Sequence, residues 1–183
     1  MGTPCEPKPV KFFIAVLASE AALMPPLEGD LGALLGVIDG RSAPIAWTES
    51  KYYEAEMGAS LVRGFLSFAA LRSPAELAAW KLKTQEIEAR FRRGDGGGRR
   101  VNLDPGYVDA FKVVLASTKN AGQRIYLGRG IYAEATLLYQ SGRFHGMPYT
   151  YRDYLWPQTL AFLNRMRAVY LEQLRQSEVH SAG

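Results

Sequence analysis

Residues 99–117 read RRVNLDPGYVDAFKVVLAS, and the fold turns on how this stretch is parsed. RRVNL (99–103) is short and strand-like. An Asp before Pro-Gly, here Asp104 before Pro105-Gly106, is a routine way to close a strand with a tight turn. On a period-two strand Asn102 and Asp104 share one face, opposite Val101 and Leu103. Beyond the turn, GYVDAFKVVLAS (106–117) sets Val108, Phe111, Val114 and Leu115 on one side of an amphipathic helix. The expectation is a strand that ends at Pro105-Gly106 and hands over to a helix. Asn102 and Asp104 then place an amide and a carboxylate where a pocket lip would need them.

Upstream, KFFIAVLAS (11–19) is an apolar run rich in aromatic and branched residues, a buried strand. AALMPPLEGDLGALL (21–35) has a helical pattern weakened by Pro25-Pro26, Gly29 and Gly32, so its helix is expected to start late or be interrupted. Within residues 37–50, turn residues precede a strand near 45–48, and SKYYEAEMGAS makes a loop or short helical turn. LVRGFLSFAAL (61–71) is a long strand. Ser73, Pro74 and Glu76 then supply an N-cap, a first-turn proline and a capping-box acid. The helix they open aligns Leu77, Trp80, Thr84, Ile87 and Phe91 on one face and ends in the basic loop RFRRGDGGGRR.

This order of strand, helix, strand, strand, helix, strand is the ferredoxin-like βαββαβ plan, with two helices on one face of an antiparallel-rich sheet. It is extended by the 106–117 helix, by a β-hairpin and by a C-terminal helix. The hairpin joins QRIYLG to IYAEATLLYQ around Gly128-Arg129-Gly130. Ser141-Gly142 marks another turn, and the last helix, 157–176, buries Leu160, Leu163, Met166, Tyr170 and Leu174. The reading is one α+β domain over residues 11–177, with a flexible leader at 1–10 and a flexible tail at 178–183.

The 183 residues allow one full core, and a hydrophobic share of 48% with 22% charged residues is ordinary for a globular chain. A net charge of +4 permits contact with phosphates without requiring it. The lone Cys5 excludes an internal disulfide and a multi-cysteine metal site. MGTPCEPKP has no apolar core of a signal peptide, and FFIAVLA is too short to span a bilayer, so a soluble cytoplasmic protein without a membrane partner is expected.

Several sharper motifs fail on chemistry. GDGGGRR has the glycines of a phosphate loop, but no Gly-Lys-Ser/Thr follows and a helix ends before it. GRGIYA (128–133) matches a loose dinucleotide pattern, yet β-forming residues flank it on both sides where a helix must follow. His145 and His180 are the only histidines, and neither has a second ligand at metal spacing, so no metal site is expected.

What survives is a polar cluster. Asn102 and Asp104 close the fourth strand, Ser117 to Asn120 form a polar break, and Arg124, Tyr126, Tyr132 and Glu134 stand on the hairpin. If the hairpin faces coincide, one surface presents a guanidinium, two phenols and a carboxylate, a set that suits a phosphate, carboxylate or nucleobase. The competing reading is a cross-strand Arg124–Glu134 ion pair with tyrosines as β-filler. KYYEAEMG (51–58) offers Tyr52, Tyr53, Glu54 and Glu56 as residues that could close over a ligand.

Together KYYEAEMG, GFLSF, RRVNLDPGY, VLASTKN and RIYLGRGIYAEATLLY resemble a bacterial family catalogued as domain-of-unknown-function family 4416. The likeness runs from KPVK (8–11) through TYRDY (150–154) to the final helix. Membership implies a single compact cytoplasmic domain and no established activity or cofactor. The chain departs from the family's pattern at Gln123, Arg129 and Arg152.

Two functional classes follow. One is a site for a small anionic ligand, phosphorylated or nucleotide-like. Asn102, Lys119, Arg124, Tyr126 and Tyr132 would bind it, and Asp104 and Glu134 are the acid/base candidates. The other is a module without catalysis that binds RNA or another protein, for which the Arg90–Arg100 segment offers basic charge. A homodimer through the sheet edge or last helix is compatible with both.

Overall fold

Every residue of β1 (Val10–Ala18) is buried, because helices cover both of its faces. Alternation sends Phe12, Ile14 and Val16 to one side and Phe13 and Ala15 to the other. The computed structural model describes residues 2–49, 53–94 and 98–181. After β1 come α1 (Met24–Leu35), β2 (Ile38–Arg41), β3 (Ile45–Ala46), α2 (Glu54–Met57), β4 (Val62–Arg72) and α3 (Leu77–Arg90). The chain continues through β5 (Val101–Val108), β6 (Lys112–Ser117), β7 (Ile125–Gly128), β8 (Ile131–Gln140), β9 (Arg143–Gly146) and α4 (Pro157–Ser181).

The strands form one nine-stranded antiparallel sheet in the order β2-β4-β1-β5-β6-β8-β7, with β3 on β4 and β9 on β8. On one face α1 (Leu27, Leu31, Leu35) and α3 (Leu77, Trp80, Ile87) pack with Phe12, Ile14 and Val16. On the other, α4 brings Phe162, Leu163 and Met166 against Phe13, Ala15 and Phe65. Both prolines of α1 fall in its first turn, where a missing N–H costs nothing, so the helix runs on unbroken. Ser73 accepts a hydrogen bond from Ala75 N at the start of the α3 segment. The β8–β9 hairpin turns through Ser141 and Gly142, both at positive φ as a type I′ turn requires. No helix among the described residues is long and apolar enough to cross a membrane.

The opening stretch is organised differently from its sequence reading. Residues 106–117 are not a helix. β5 continues through Pro105-Gly106 to Val108 and folds back as β6. The turn lies instead at Asp109, whose Oδ1 accepts from Phe111 N at 2.7 Å and Lys112 N at 2.8 Å. That Asx geometry supplies the reversal, and the branched Val108, Val113 and Val114 suit the paired strands around it. Phe111, placed on the apolar face of the expected helix, is the exposed tip of the hairpin. Two further elements differ: β2 forms within residues read as turn, and α4 extends through Ser181 into the expected tail.

Gly106 and Pro105 have separate reasons to stand mid-strand. A Cβ at Gly106 would meet Val114 O at 2.6 Å and Phe13 Cζ at 2.7 Å, so the strands and the α4-side core close only over a glycine. Asp109 N donates to Lys112 O, which points the N–H groups of Asp109, Tyr107 and position 105 toward β6. Pro105 has no N–H to give. The β5–β6 ladder runs Val108↔Val113, Tyr107↔Val114, Gly106↔Leu115 and stops there, while β5 stays paired with β1 down to Val101. The sheet therefore splits below Gly106 (Asp104 on one lip and Ser117 on the other).

Gly106→Ala is expected to lower the stability by about 1–3 kcal/mol through overpacking. A urea titration showing an unchanged midpoint would contradict the close approach.

Candidate functional site

Where β5 parts from β6, the backbone of Leu103 loses the neighbour it would otherwise pair with. Two side chains of α3 take that place. Leu103 N donates to Glu88 Oε1 at 2.7 Å, and Lys81 Nζ donates to Leu103 O at 2.7 Å. Both side chains are buried, about two turns apart on α3, and their charges lie 3.9 Å from each other. Lys81 Nζ also reaches Asp104 Oδ1 at 3.0 Å, so the amine enters from the α3 face and meets a carboxylate on the α4 face through the gap. Asn102 Nδ2 donates to Asp104 Oδ2 at 2.7 Å, and Arg99 Nη1 donates to Asn102 Oδ1 at 3.0 Å. Arg99 in turn holds Glu56, at the end of the KYYEAEMG segment, through Nε at 2.8 Å and Nη2 at 2.9 Å.

A cavity of about 600 Å³ occupies this gap. Its second wall is the Arg124–Glu134 pair, Nε to Oε2 at 3.0 Å, with both side chains almost fully buried. Arg124 Nη1 donates to Ser117 Oγ at 2.7 Å and to Lys119 O at 2.9 Å, and Nη2 donates to the Tyr151 hydroxyl at 2.8 Å. Gln123 Nε2 adds a bond to Glu134 Oε2 at 2.9 Å. A third wall comes from β4 and the helical turn Arg152–Leu155. Arg63 binds Asp153 Oδ2 through Nε at 2.7 Å and through Nη2, and its guanidinium carbon lies 5.4 Å from the Trp47 ring and 5.8 Å from that of Tyr154.

These surroundings set the protonation states. Burial pushes the Asp104 carboxyl up, but the charges of Lys81 and Arg63 and the hydrogen bonds from Lys81 and Asn102 outweigh it and hold the group below the usual carboxylate range. Burial dominates at Glu88 and raises it despite Lys81 and the Leu103 amide. Tyr53 is pushed up to about 12 by burial and then by the nearby Asp104 charge. Burial likewise lifts Tyr154 well above an ordinary phenol. Asp104 is thus an ionised acceptor at neutral pH, whereas the two phenols keep their protons and can donate.

Asn102, Asp104, Lys119, Arg124 and Glu134 all line this one cavity. Tyr126 and Tyr132 lie outside it. They face each other across β7 and β8 with ring centroids 5.2 Å apart, and Tyr126 is largely exposed. Arg124 precedes β7, so strand alternation does not carry its direction over to Tyr126. Tyr132 shares a strand face with Glu134 but sits farther toward the hairpin tip. Of the KYYEAEMG residues, Tyr53 is on the cavity wall, Glu56 pairs with Arg99, Glu54 opens α2, and Tyr52 falls outside the described residues. His145 lies in the β8–β9 hairpin with Nε2 3.1 Å from Gln140 O. No cluster of three metal-ligating side chains occurs among the described residues.

Arg63, Lys81, Glu88, Asp153 and Tyr154 were not singled out by sequence. Lys81 and Glu88 did leave a signal, since each falls on the stripe of Leu77, Trp80, Thr84 and Ile87 that α3 buries. A charged residue at such a position needs a partner off its own helix. Arg63 sits between apolar strand residues and offered only the same weak hint.

The model of the family described as Domain of unknown function (DUF4416) matches residues 8–170, and the chain belongs to that family. Comparison with curated proteins and with solved structures gave no match.

Arg124→Met leaves Glu134 buried without its cation and should cost about 3 kcal/mol, whereas Arg124→Met/Glu134→Leu should recover most of that loss. Equal stabilities for the single and double variants, by chemical denaturation, would argue against the coupling. Glu88, with its folded value raised, favours the native state below its unfolded value and loses that contribution as pH rises through the raised one. Relative to wild type, Glu88→Gln should therefore gain stability from about pH 4 to 7. A difference that stays flat over that range would contradict the raised carboxyl.

Proposed function

We propose that the cavity binds a small anionic ligand of phosphorylated or nucleotide-like character, with Asn102, Asp104 and Lys119 facing it and the Arg124–Glu134 pair as its wall. The observation that carries this reading is the convergence of charged side chains from β4, α3, β5, β8 and four connecting segments on one cavity. Arg63, Lys81, Arg99, Lys119, Arg124 and Arg152 stand against Glu49, Glu88, Asp104, Glu134 and Asp153, and Glu56 answers Arg99 from behind the lining, so the charges balance as a whole. Lys119, Arg124 and Arg152 outnumber Glu134 on the side built by residues 117–124 and 148–152, and that favours an anionic group of the ligand there. Asp104, kept ionised, suits a ligand hydroxyl or N–H donor and not the role of proton donor at neutral pH. Glu134 already balances Arg124, which supports a positioning part for it.

The first half, β1 to β5 with α1 and α3, is read as ferredoxin-like. The antiparallel order β2-β4-β1-β5 and the shared face of α1 and α3 support this. The single cysteine favours a reducing, cytoplasmic setting. An RNA-binding sheet has less support, because Phe12 and Phe13, the aromatics of the central strand, are fully buried on opposite faces.

Thermal-shift screening with nucleoside monophosphates and sugar phosphates tests the reading. At least one should raise the melting temperature of the wild type, and Asp104→Asn should keep the fold and lose that rise. No response from any of these compounds, or a full response in Asp104→Asn, would overturn it.

A further inference from the structure

Four of the cations that line the cavity are already spent on carboxylates: Arg63 on Asp153, Lys81 on Asp104, Arg99 on Glu56 and Arg124 on Glu134. Arg124 is committed furthest. Ser117 Oγ and the Lys119 carbonyl take its Nη1 and the Tyr151 hydroxyl takes its Nη2, so its fork no longer offers a parallel pair of donors to an oxyanion. Arg152 differs from all four. It lines the same cavity, it is exposed, and its guanidinium makes no hydrogen bond or ion pair among the described residues. A cation with its whole fork of N–H donors uncommitted therefore stands where the cavity meets solvent. Position decides as much as charge. An oxyanion pushed in among buried, compensated pairs loses hydration that no spare cation repays, whereas at the exposed Arg152 it keeps part of its water.

We infer that Arg152, and not Arg124, grips the terminal phosphoryl group of the ligand at the cavity mouth, through two parallel N–H donors. The remainder of the ligand points inward, with its hydroxyl or N–H donors toward Asp104. Arg124 is left as a brace between the 117–119 segment and Tyr151. The inference rests on the ligand reading above and assigns the ligand's anionic end to one side chain.

Calorimetric titration of the full chain with adenosine monophosphate and ribose phosphate, each against its unphosphorylated counterpart, tests it. The wild type should bind at least one phosphorylated compound about tenfold more tightly than its counterpart, or better, as charge-assisted hydrogen bonds provide. Arg152→Ala should shrink that preference to within about twofold and melt at the wild-type temperature, since the side chain has no protein partner to lose. Arg152→Lys, which keeps the charge without the fork, should retain only part of the preference. Arg143→Ala removes the same charge from the exposed β8–β9 hairpin outside the cavity and should leave the preference intact. A preference that survives in Arg152→Ala or in full in Arg152→Lys, or one lost equally in Arg143→Ala, would overturn the Arg152 grip and leave the ligand reading standing. No gain from the phosphate of either compound in the wild type removes both.

Discussion

A strand that loses its neighbour must find other partners for its backbone, and here that requirement falls on Leu103. Its N–H is taken by Glu88 and its carbonyl by Lys81, two charged side chains that a helix core stripe would not otherwise carry. Each charge is buried, and each is tolerated because a backbone dipole and an opposite charge meet it. The arrangement does two things at once. It seals one side of the split sheet, and it carries an ammonium through the split to Asp104 on the far face.

The rest of the site follows from that opening. With β6 held away below Leu115, Ser117 and the segment after it turn toward Arg124 and not toward β5. Arg124 is then fixed by Glu134, Ser117 and the Lys119 carbonyl, and its last contact, with Tyr151, ties the 148–154 segment across the gap. Asp153 and Tyr154 of that segment meet Arg63 from β4. Three ion pairs (Lys81–Asp104, Arg124–Glu134 and Arg63–Asp153) therefore line one cavity from three directions. Buried pairs of this kind contribute little net stability against apolar replacements. Their concentration around a single opening sets the charge pattern of its walls.

Much of this was legible in the residues, and the failures have physical causes. Helix α3 announced itself through Ser73-Pro74 and a regular apolar face, and the β7–β8 hairpin through Gly128 and Gly130. Asn102, Asp104, Lys119, Arg124 and Glu134 meet on one cavity, whereas Tyr126 and Tyr132, grouped with them in the sequence, lie outside it because β7 begins only after Arg124. Residues 106–117 misled because Val108, Phe111, Val114 and Leu115 match a helical period, while the Asp109 turn that decides between helix and hairpin is a single side-chain contact. Pro105-Gly106 misled in another way. Each has a strand reason, one ending a ladder and the other admitting a close backbone, and such reasons appear only once the neighbouring strands are placed. Arg63 and Tyr154 stayed hidden because they come from segments far apart in the chain.

The split of the sheet at Pro105 is the central claim, and amide hydrogen exchange at Leu103 tests it most directly. In the wild type this amide should be strongly protected, although no strand lies beside it. In Glu88→Ala its exchange should accelerate selectively, while the amides of Asn102 and Asp104, directed at β1, remain slow. Unchanged protection of Leu103 in that variant would mean that another strand holds the amide, and the account of the cavity would fail with it.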